Sequence, residues 1–202
     1  MSSREELLTA VRARRPQVDR PLPSVPMFDD IPAGDLKDAF RHSLLRMGGR
    51  LLESSPSGDP LDAVRSEIAE STVIYSTVPE VFGNRDLAGI SSPRDLADVD
   101  YSIVRAAFGV AETGSVLLSE RELVVNTCAY LAQHLIVLLD PADIVLNLHS
   151  AYRRPEFHDR NYASFHTGPS ATADIEGVLI HGAQGVRSLS VLLFARNQIS
   201  PG

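Results

Sequence analysis

The segment 167–177 combines residue types that could hold a small anion. A glycine–proline pair follows Phe165 and His166 and predicts a turn after a strand, because glycine accepts positive φ angles and proline fixes φ. A serine, a threonine and two acidic residues come next, in an order typical of a helix start. Such a strand, turn and helix direct backbone N–H groups and hydroxyls at one point, which suits a carboxylate or phosphate. A plain helix cap explains the same residues equally well.

The candidate anion-binding residues of this segment are His166, Gly168, Ser170, Thr172 and Asp174. His166 borders the turn and could hydrogen-bond an anion, although a partly buried imidazole at a strand end is the more common role. The six histidines include no pair four residues apart with a carboxylate between them, so no helical metal site is predicted. A metal site assembled from distant segments stays open as a minor alternative.

Residues 111–115 place one carboxylate beside two hydroxyls, between apolar segments. Glu112 is the candidate catalytic residue, because a carboxylate held at a strand end suits general acid or base chemistry. Gly114 permits the close approach of a ligand, and Thr113 and Ser115 offer hydroxyls to it. On the residues alone, a buried Glu112 satisfied by backbone N–H groups is a slightly better explanation.

Two regions of the chain must position these residues. Residues 1–33 predict an N-terminal helix and a proline-rich arm, because five prolines between positions 16 and 32 exclude a regular helix or central strand. Residues 34–202 alternate helix and strand signals and predict one α/β domain. Helices are expected from Asp35, Pro60 and Pro141, and strands at 50–52, 72–75, 115–118, 123–125, 135–139 and 188–194.

These strands are nearly continuous apolar runs, which predicts an open, mostly parallel sheet with helices on both faces. In such sheets ligands bind beyond the carboxyl ends of the strands. The segment 167–177 is therefore expected at that edge.

The composition excludes several classes of partner. The 202 residues are 44% hydrophobic and 22% charged, as in ordinary globular proteins. A formal net charge of −7 argues against nucleic acid as the main partner, and no apolar run reaches the ~20 residues of a membrane span. Because the N-terminus carries no secretory pattern, a cytoplasmic location is expected. Cys128 is the only cysteine, so the chain alone cannot supply the roughly four thiolates of an iron–sulfur cluster.

Together the two motifs resemble the LUD domain family, best known from lactate-utilization proteins B and C. Residues 111–114 match the family's alanine–glutamate–threonine–glycine stretch, and residues 168–170 and 172–176 match its later glycine–proline–serine and threonine–alanine–aspartate–isoleucine–glutamate segments. A glycine-rich segment, 181–187, precedes the last strand as it does in the family. There the family has a histidine and a proline where this chain has Gln184 and Val186, so that histidine's proton transfer is not carried over. The resemblance spans residues 35–196.

The resemblance implies a fold, a pathway and partners. The fold is the open α/β sheet shared with ribose-5-phosphate isomerase, glucosamine-6-phosphate deaminase and CoA transferases. With one cysteine the chain resembles protein C rather than the cysteine-rich protein B. It would then be a component without clusters or other cofactors that acts with iron–sulfur A- and B-type partners to oxidise L-lactate to pyruvate. A stand-alone enzyme of CoA-transferase or sugar-phosphate-isomerase chemistry and a non-catalytic scaffold are the alternatives.

Overall fold

The computed structural model describes residues 3–16, 21–29, 34–53, 58–86, 88–173, 177–181 and 185–196. Its α-helices are α1 Ser3–Ala13, α2 Leu36–Arg46, α3 Asp62–Ile68, α4 Glu120–Leu123, α5 Cys128–Leu131, α6 Leu148–Ala151 and α7 Pro155–His158. Short 3-10 helices lie at Pro93–Leu96 and Pro141–Asp143. The strands are β1 Arg50–Leu52, β2 Ile74–Ser76, β3 Tyr101–Arg105, β4 Phe108–Val110, β5 Ser115–Ser119, β6 His134–Leu139, β7 Ile144–Val145, β8 Ala163–His166, β9 Ala171–Thr172, β10 Ile180–His181 and β11 Ser188–Leu193.

The central sheet has five strands in the order β1-β11-β6-β3-β2, and every neighbouring pair is parallel. Odd-numbered residues of β6 pack in one core cluster with α2, α4 and α5, whereas its apolar even-numbered residues pack in a second cluster with α3. Each fully buried aliphatic side chain there contributes roughly 1.5–3 kcal/mol relative to an exposed one. The predicted fold class, a mostly parallel α/β sheet with helices on both faces, is therefore confirmed.

A second sheet, which the sequence does not predict, carries the motif at 111–115 between two of its strands. Its order is β7-β4-β5-β8, with β4 and β8 antiparallel to β5 and β7 parallel to β4. The helix expected from Pro141 is wrong in its first part, since a 3-10 turn and β7 precede α6. Here β7 pairs with β4, so the backbone groups that a longer helix would use are bonded across strands.

The strand expected at 123–125 is also wrong. Leu123 ends α4, and Val124 has a φ of 61° and is exposed. The cause is a capping box, in which Ser119 Oγ accepts from Arg121 N and a Glu122 carboxylate oxygen accepts from Ser119 N. Three apolar residues alone cannot distinguish a strand from the end of a helix.

The segment after β8 forms a hairpin rather than a helix start. Gly168 turns the chain with a φ of 70°, and β9 then pairs antiparallel with β10. Asp174 and the rest of the expected first helical turn lie outside the described residues. Ser170 N donates to Val186 O, just before β11 begins, so the segment lies at the amino ends of the parallel strands and not at their carboxyl ends.

Part of the proline-rich arm contacts the domain. Residues 21–29 have no regular secondary structure, and Asn147 Nδ2 donates to the carbonyls of Met27 and Phe28 at 2.8 and 3.2 Å. The boundary between residues 33 and 34 stays a prediction, because residues 30–33 lie outside the described ranges. Over the described ranges, no helix is long and apolar enough to cross a membrane.

Candidate functional site

Two cavities lie on either side of β8. The first, of about 360 Å³, is lined by Arg46, Glu112, Thr113, Ser115, Thr167 and an apolar wall; we call it the hydroxyl pocket. The second, of about 220 Å³, is lined by Tyr130, His166, Gly168, Ser170 and Val186 among others; we call it the histidine pocket. Thr167 and Phe165 line both cavities.

Three hydroxyls form one hydrogen-bonded chain in the hydroxyl pocket. Thr113 Oγ1 lies 2.7 Å from Ser115 Oγ, which lies 2.5 Å from Thr167 Oγ1. The antiparallel register of Val116 with His166 brings the start of β5 beside the end of β8 and so joins the two motifs. Three hydroxyls carry three O–H donors and two are used within the chain, so one remains to donate to a ligand.

Glu112 lies at the mouth of the same pocket and is exposed, so the alternative of a buried carboxylate is wrong. Its Oε2 accepts from Leu148 N at 3.0 Å, so one backbone N–H does orient the carboxylate. Its backbone is fixed as well, since its N–H donates to Leu146 O and its carbonyl accepts from Ser43 Oγ. The carboxylate is thus held in place while it stays open to solvent and ligand.

Gly114 docks this turn on α2. Its φ is 67°, and a Cβ placed there would lie 2.2 Å from Leu44 N. Only glycine allows this conformation and this approach without displacing the helix backbone. The contact brings Thr113 beside the last residue of α2, which is Arg46.

Arg46 is a site residue that the sequence does not single out. It is exposed, and within the described residues it forms no salt bridge. A basic residue in the last turn of a helix is ordinarily attributed to the helix dipole, which hides its second role. The hydroxyl pocket therefore combines one unpaired cation, one carboxylate and three hydroxyls with a wall that includes Leu148, Tyr152 and Phe165.

The histidine pocket carries no comparable charge. Burial lowers the pKa of His166 from 6.5 to about 4, so the imidazole is neutral at pH 7. Its Nε2 is buried without a hydrogen-bond partner among the described residues, and its ring lies 5.2 Å from that of Tyr130. A neutral imidazole can hydrogen-bond a ligand but supplies no positive charge to an anion.

The predicted site residues therefore do not form one site but lie around two different pockets. Glu112, Thr113 and Ser115 line the hydroxyl pocket, whereas His166, Gly168 and Ser170 line the histidine pocket. Thr172 lies on β9 and lines neither of the two, and Asp174 lies outside the described residues. Gly168, like Gly114, is required by a close approach, because its Cβ would lie 2.1 Å from Met47 O.

Other chemical candidates have structural roles. Cys128 is fully buried, and burial raises the pKa of its thiol to about 12, as expected for an unreactive cysteine. Arg154 pairs with Glu156 and Asp143, and Arg160 Nε donates to Ser119 Oγ, so these two cations hold loops together. Across the described part of the chain, no three His, Cys, Asp or Glu side chains are grouped as metal ligands.

The fold and the pockets define an α/β protein with a cavity where the second sheet meets α2. The LUD domain model matches residues 76–194, more than half of the chain and both motifs, so the chain belongs to the LUD domain family. The predicted family is confirmed.

Two more distant similarities accompany the family match, and the structural one shows the fold alone. A DUF162 family protein from Deinococcus radiodurans, solved by crystallography, aligns with a TM-score of 0.58 and 16% identity over 80% of this chain and 99% of that one. An uncharacterized protein of Neisseria meningitidis serogroup B is 24% identical over 145 residues, or 70% of this chain. This chain spans 62% of that relative's length.

Proposed function

We propose that the hydroxyl pocket binds a small 2-hydroxy acid and that the protein is the C-type component, without clusters of its own, of an L-lactate utilization system. The observation that carries the proposal is the unpaired Arg46 beside a hydroxyl chain and the exposed Glu112. The family is associated with lactate utilization, which supplies the pathway. The assignment to the superfamily of sugar-phosphate isomerases and CoA transferases is part of the same proposal and is supported by the parallel central sheet.

Each part of a lactate molecule has a complementary group in this pocket. A guanidinium binds a carboxylate through paired N–H donors, which assigns the carboxylate of the ligand to Arg46. The spare O–H of the hydroxyl chain adds a further donor to the carboxylate. The methyl group then faces the apolar wall formed by residues such as Leu148 and Phe165.

Glu112 is assigned the proton of the substrate hydroxyl. Oxidation of lactate to pyruvate removes the hydroxyl proton, the proton on C2 and two electrons, and the carboxylate of Glu112 accepts the hydroxyl proton. The A- and B-type partners would take the C2 proton on a base of their own and the two electrons on their iron–sulfur clusters. This chain's own part is to bind the acid, orient its hydroxyl and take up that proton.

Reconstitution with the two iron–sulfur partners tests the proposal. L-Lactate-dependent reduction of a dye should require this chain, and the isolated chain should show none. Glu112→Gln keeps an oxygen to accept from Leu148 N but removes the base, so turnover should fall about 100-fold or more. Arg41→Gln, at an exposed residue of α2 that pairs with Glu53, is the matched control and should keep full turnover.

Two outcomes contradict the proposal. Lactate oxidation by the purified chain alone excludes the need for partners. If Glu112→Gln and Arg46→Gln each keep full turnover, the hydroxyl pocket is excluded as the site of lactate oxidation.

The exposure of Glu112 also favours a second candidate, a stand-alone transferase. There the Glu112 carboxylate attacks an acyl-CoA thioester, which gives a mixed anhydride and the CoA thiolate. The thiolate then attacks the glutamyl carbonyl, which gives a glutamyl–CoA thioester and releases the free acid. Incubation with an acyl-CoA followed by mass measurement should then show a CoA adduct on Glu112. The lactate proposal predicts none.

A further inference from the structure

A third cavity, of about 220 Å³, lies at the edge of the central sheet opposite the histidine pocket. Thr77 to Pro79 follow the end of β2, Arg105 is the last residue of β3, and Arg196 comes after β11. The cavity is therefore at the carboxyl ends of parallel strands, where ligands of open α/β sheets ordinarily bind. Three arginines line it, Arg105, Arg121 and Arg196, and we call it the arginine pocket.

Arg105 is the rigid part of the arginine pocket. Its side chain is mostly buried and forms an ion pair with the buried carboxylate of Glu80. Its Nη1 donates to Phe194 O at 3.2 Å, and its guanidinium lies 5.6 Å from the centre of the Phe194 ring. A guanidinium has five N–H donors, so donors remain for a ligand after these bonds are made.

The remaining charges of the arginine pocket decide which ligand it fits. Arg196 pairs with Asp143 at 3.0 Å, and the lining carboxylate of Glu122 pairs with Arg160 at 3.5 Å. Arg121 is different, because its Nη2 donates to a carbonyl, Asp159 O, and within the described residues it has no carboxylate partner.

With the other charges matched, the arginine pocket carries one net positive charge, that of Arg121. One unmatched cation favours a singly charged ligand, since a second negative charge would lack a partner. The volume admits a small molecule rather than a peptide segment.

We propose that the arginine pocket is a second ligand site, which binds the carboxylate of a small monocarboxylic acid. Arg121, on the exposed side, closes over the carboxylate while Arg105 holds it from below. None of these residues belongs to the hydroxyl pocket, so the inference stands independently of the proposed function.

Amide chemical shifts of the ¹⁵N-labelled protein test this site during titration with acetate at constant ionic strength. We expect saturable shifts at Thr77, Ala106 and Arg121. Arg121→Gln should weaken this binding by about tenfold or more, because it removes a hydrogen bond to a charged group. Arg46→Gln and Arg41→Gln should leave the acetate response of these amides unchanged.

The same titration can also contradict the proposed carboxylate site. Chloride producing equal shifts would mean general ionic screening and would overturn the site. Tighter binding of phosphate, at a pH where it is doubly charged, would overturn the preference for a carboxylate. If Arg121→Gln disturbs the spectrum as a whole, Arg196→Gln replaces it. This change leaves Asp143 without its Arg196 partner and cancels the net positive charge, so acetate binding must also weaken; unchanged affinity in a folded variant contradicts the proposal.

Discussion

The hydroxyl pocket and the histidine pocket differ in charge although only one strand, β8, separates them. The hydroxyl pocket has an unpaired Arg46 and an exposed Glu112, whereas the histidine pocket has a neutral imidazole with a pKa of about 4. Residues of one sequence motif, 165–170, contribute to both. A motif can thus identify a family while its residues serve two different local environments.

The largest effect is expected at Gly168, which follows Thr167, a residue that lines both pockets. In Gly168→Ala the new Cβ would lie 2.1 Å from Met47 O, at a φ of 70°. Backbone strain and overpacking together should lower the free energy of unfolding by roughly 3 kcal/mol. Urea denaturation measures this loss.

Gly177→Ala is the matched control, because Gly177 has the same φ and nothing within 4 Å among the described residues. It should cost about 1 kcal/mol, the contribution of strain alone. Equal losses in the two variants would mean that the close approach to Met47 does not matter.

The second-largest effect is expected in the pH dependence of the free energy of unfolding, which tests whether the histidine pocket is uncharged. The folded-state pKa of His166, about 4, lies below its ordinary value of 6.5, so the unfolded chain binds more protons between these pH values. The stability that depends on this neutral imidazole is fully present above about pH 6.5 and is lost as the pH falls toward 4. The loss in the free energy of unfolding is up to about 3 kcal/mol. In His166→Phe the free energy of unfolding should therefore fall less between these pH values.

Burial also lowers the pKa of His134, and this contribution remains in both proteins. Parallel curves for wild type and His166→Phe would show that His166 is not held neutral by the fold.

The third effect separates the pockets by ligand affinity. Arg46→Gln removes a charged hydrogen-bond partner of the proposed carboxylate, so L-lactate binding should weaken by about tenfold or more. The response is followed at the Thr113 amide, which lies in the hydroxyl pocket. His166→Phe should change this affinity little, and a comparable loss in both variants would abolish the distinction between the pockets.

The smallest effect concerns single hydroxyls. Ser115→Ala breaks the hydroxyl chain at its centre and should weaken lactate binding about fivefold, corresponding to roughly 1 kcal/mol. Ser170→Ala is the control from the histidine pocket. It should leave the lactate affinity at the Thr113 amide within about twofold of wild type. Weaker binding in Ser170→Ala together with unchanged binding in Ser115→Ala would assign lactate to the histidine pocket.

The sequence does not predict β3, Tyr101–Arg105, in which Ser102 and Arg105 interrupt the apolar residues. It predicts the strands of the central sheet best where they are long apolar runs. Residues 135–139 and 188–193 are such runs, and both form parallel strands of the core. β7 has only two residues and β4 only three, so their pairing depends on tertiary contacts that no short pattern records. A helix start at Ser170 is wrong for the same reason, since residues 171 and 172 form β9 and a capping residue type also occurs in turns.

The site is predicted in composition but not in arrangement. Glu112, Thr113 and Ser115 could be identified because a carboxylate and two hydroxyls are unusual between apolar strands. Arg46 could not, because it enters the pocket through the contact of Gly114 with α2, about seventy residues earlier in the chain.

The most direct test maps the amide chemical shifts of the wild-type protein during titration with L-lactate. We expect saturable shifts at Thr113, Ser115 and Leu148, around the hydroxyl pocket, and little change at Ser170 and Val186. Saturable shifts confined to Ser170 and Val186 would place the hydroxy acid in the histidine pocket and would show that the hydroxyl pocket is not its binding site.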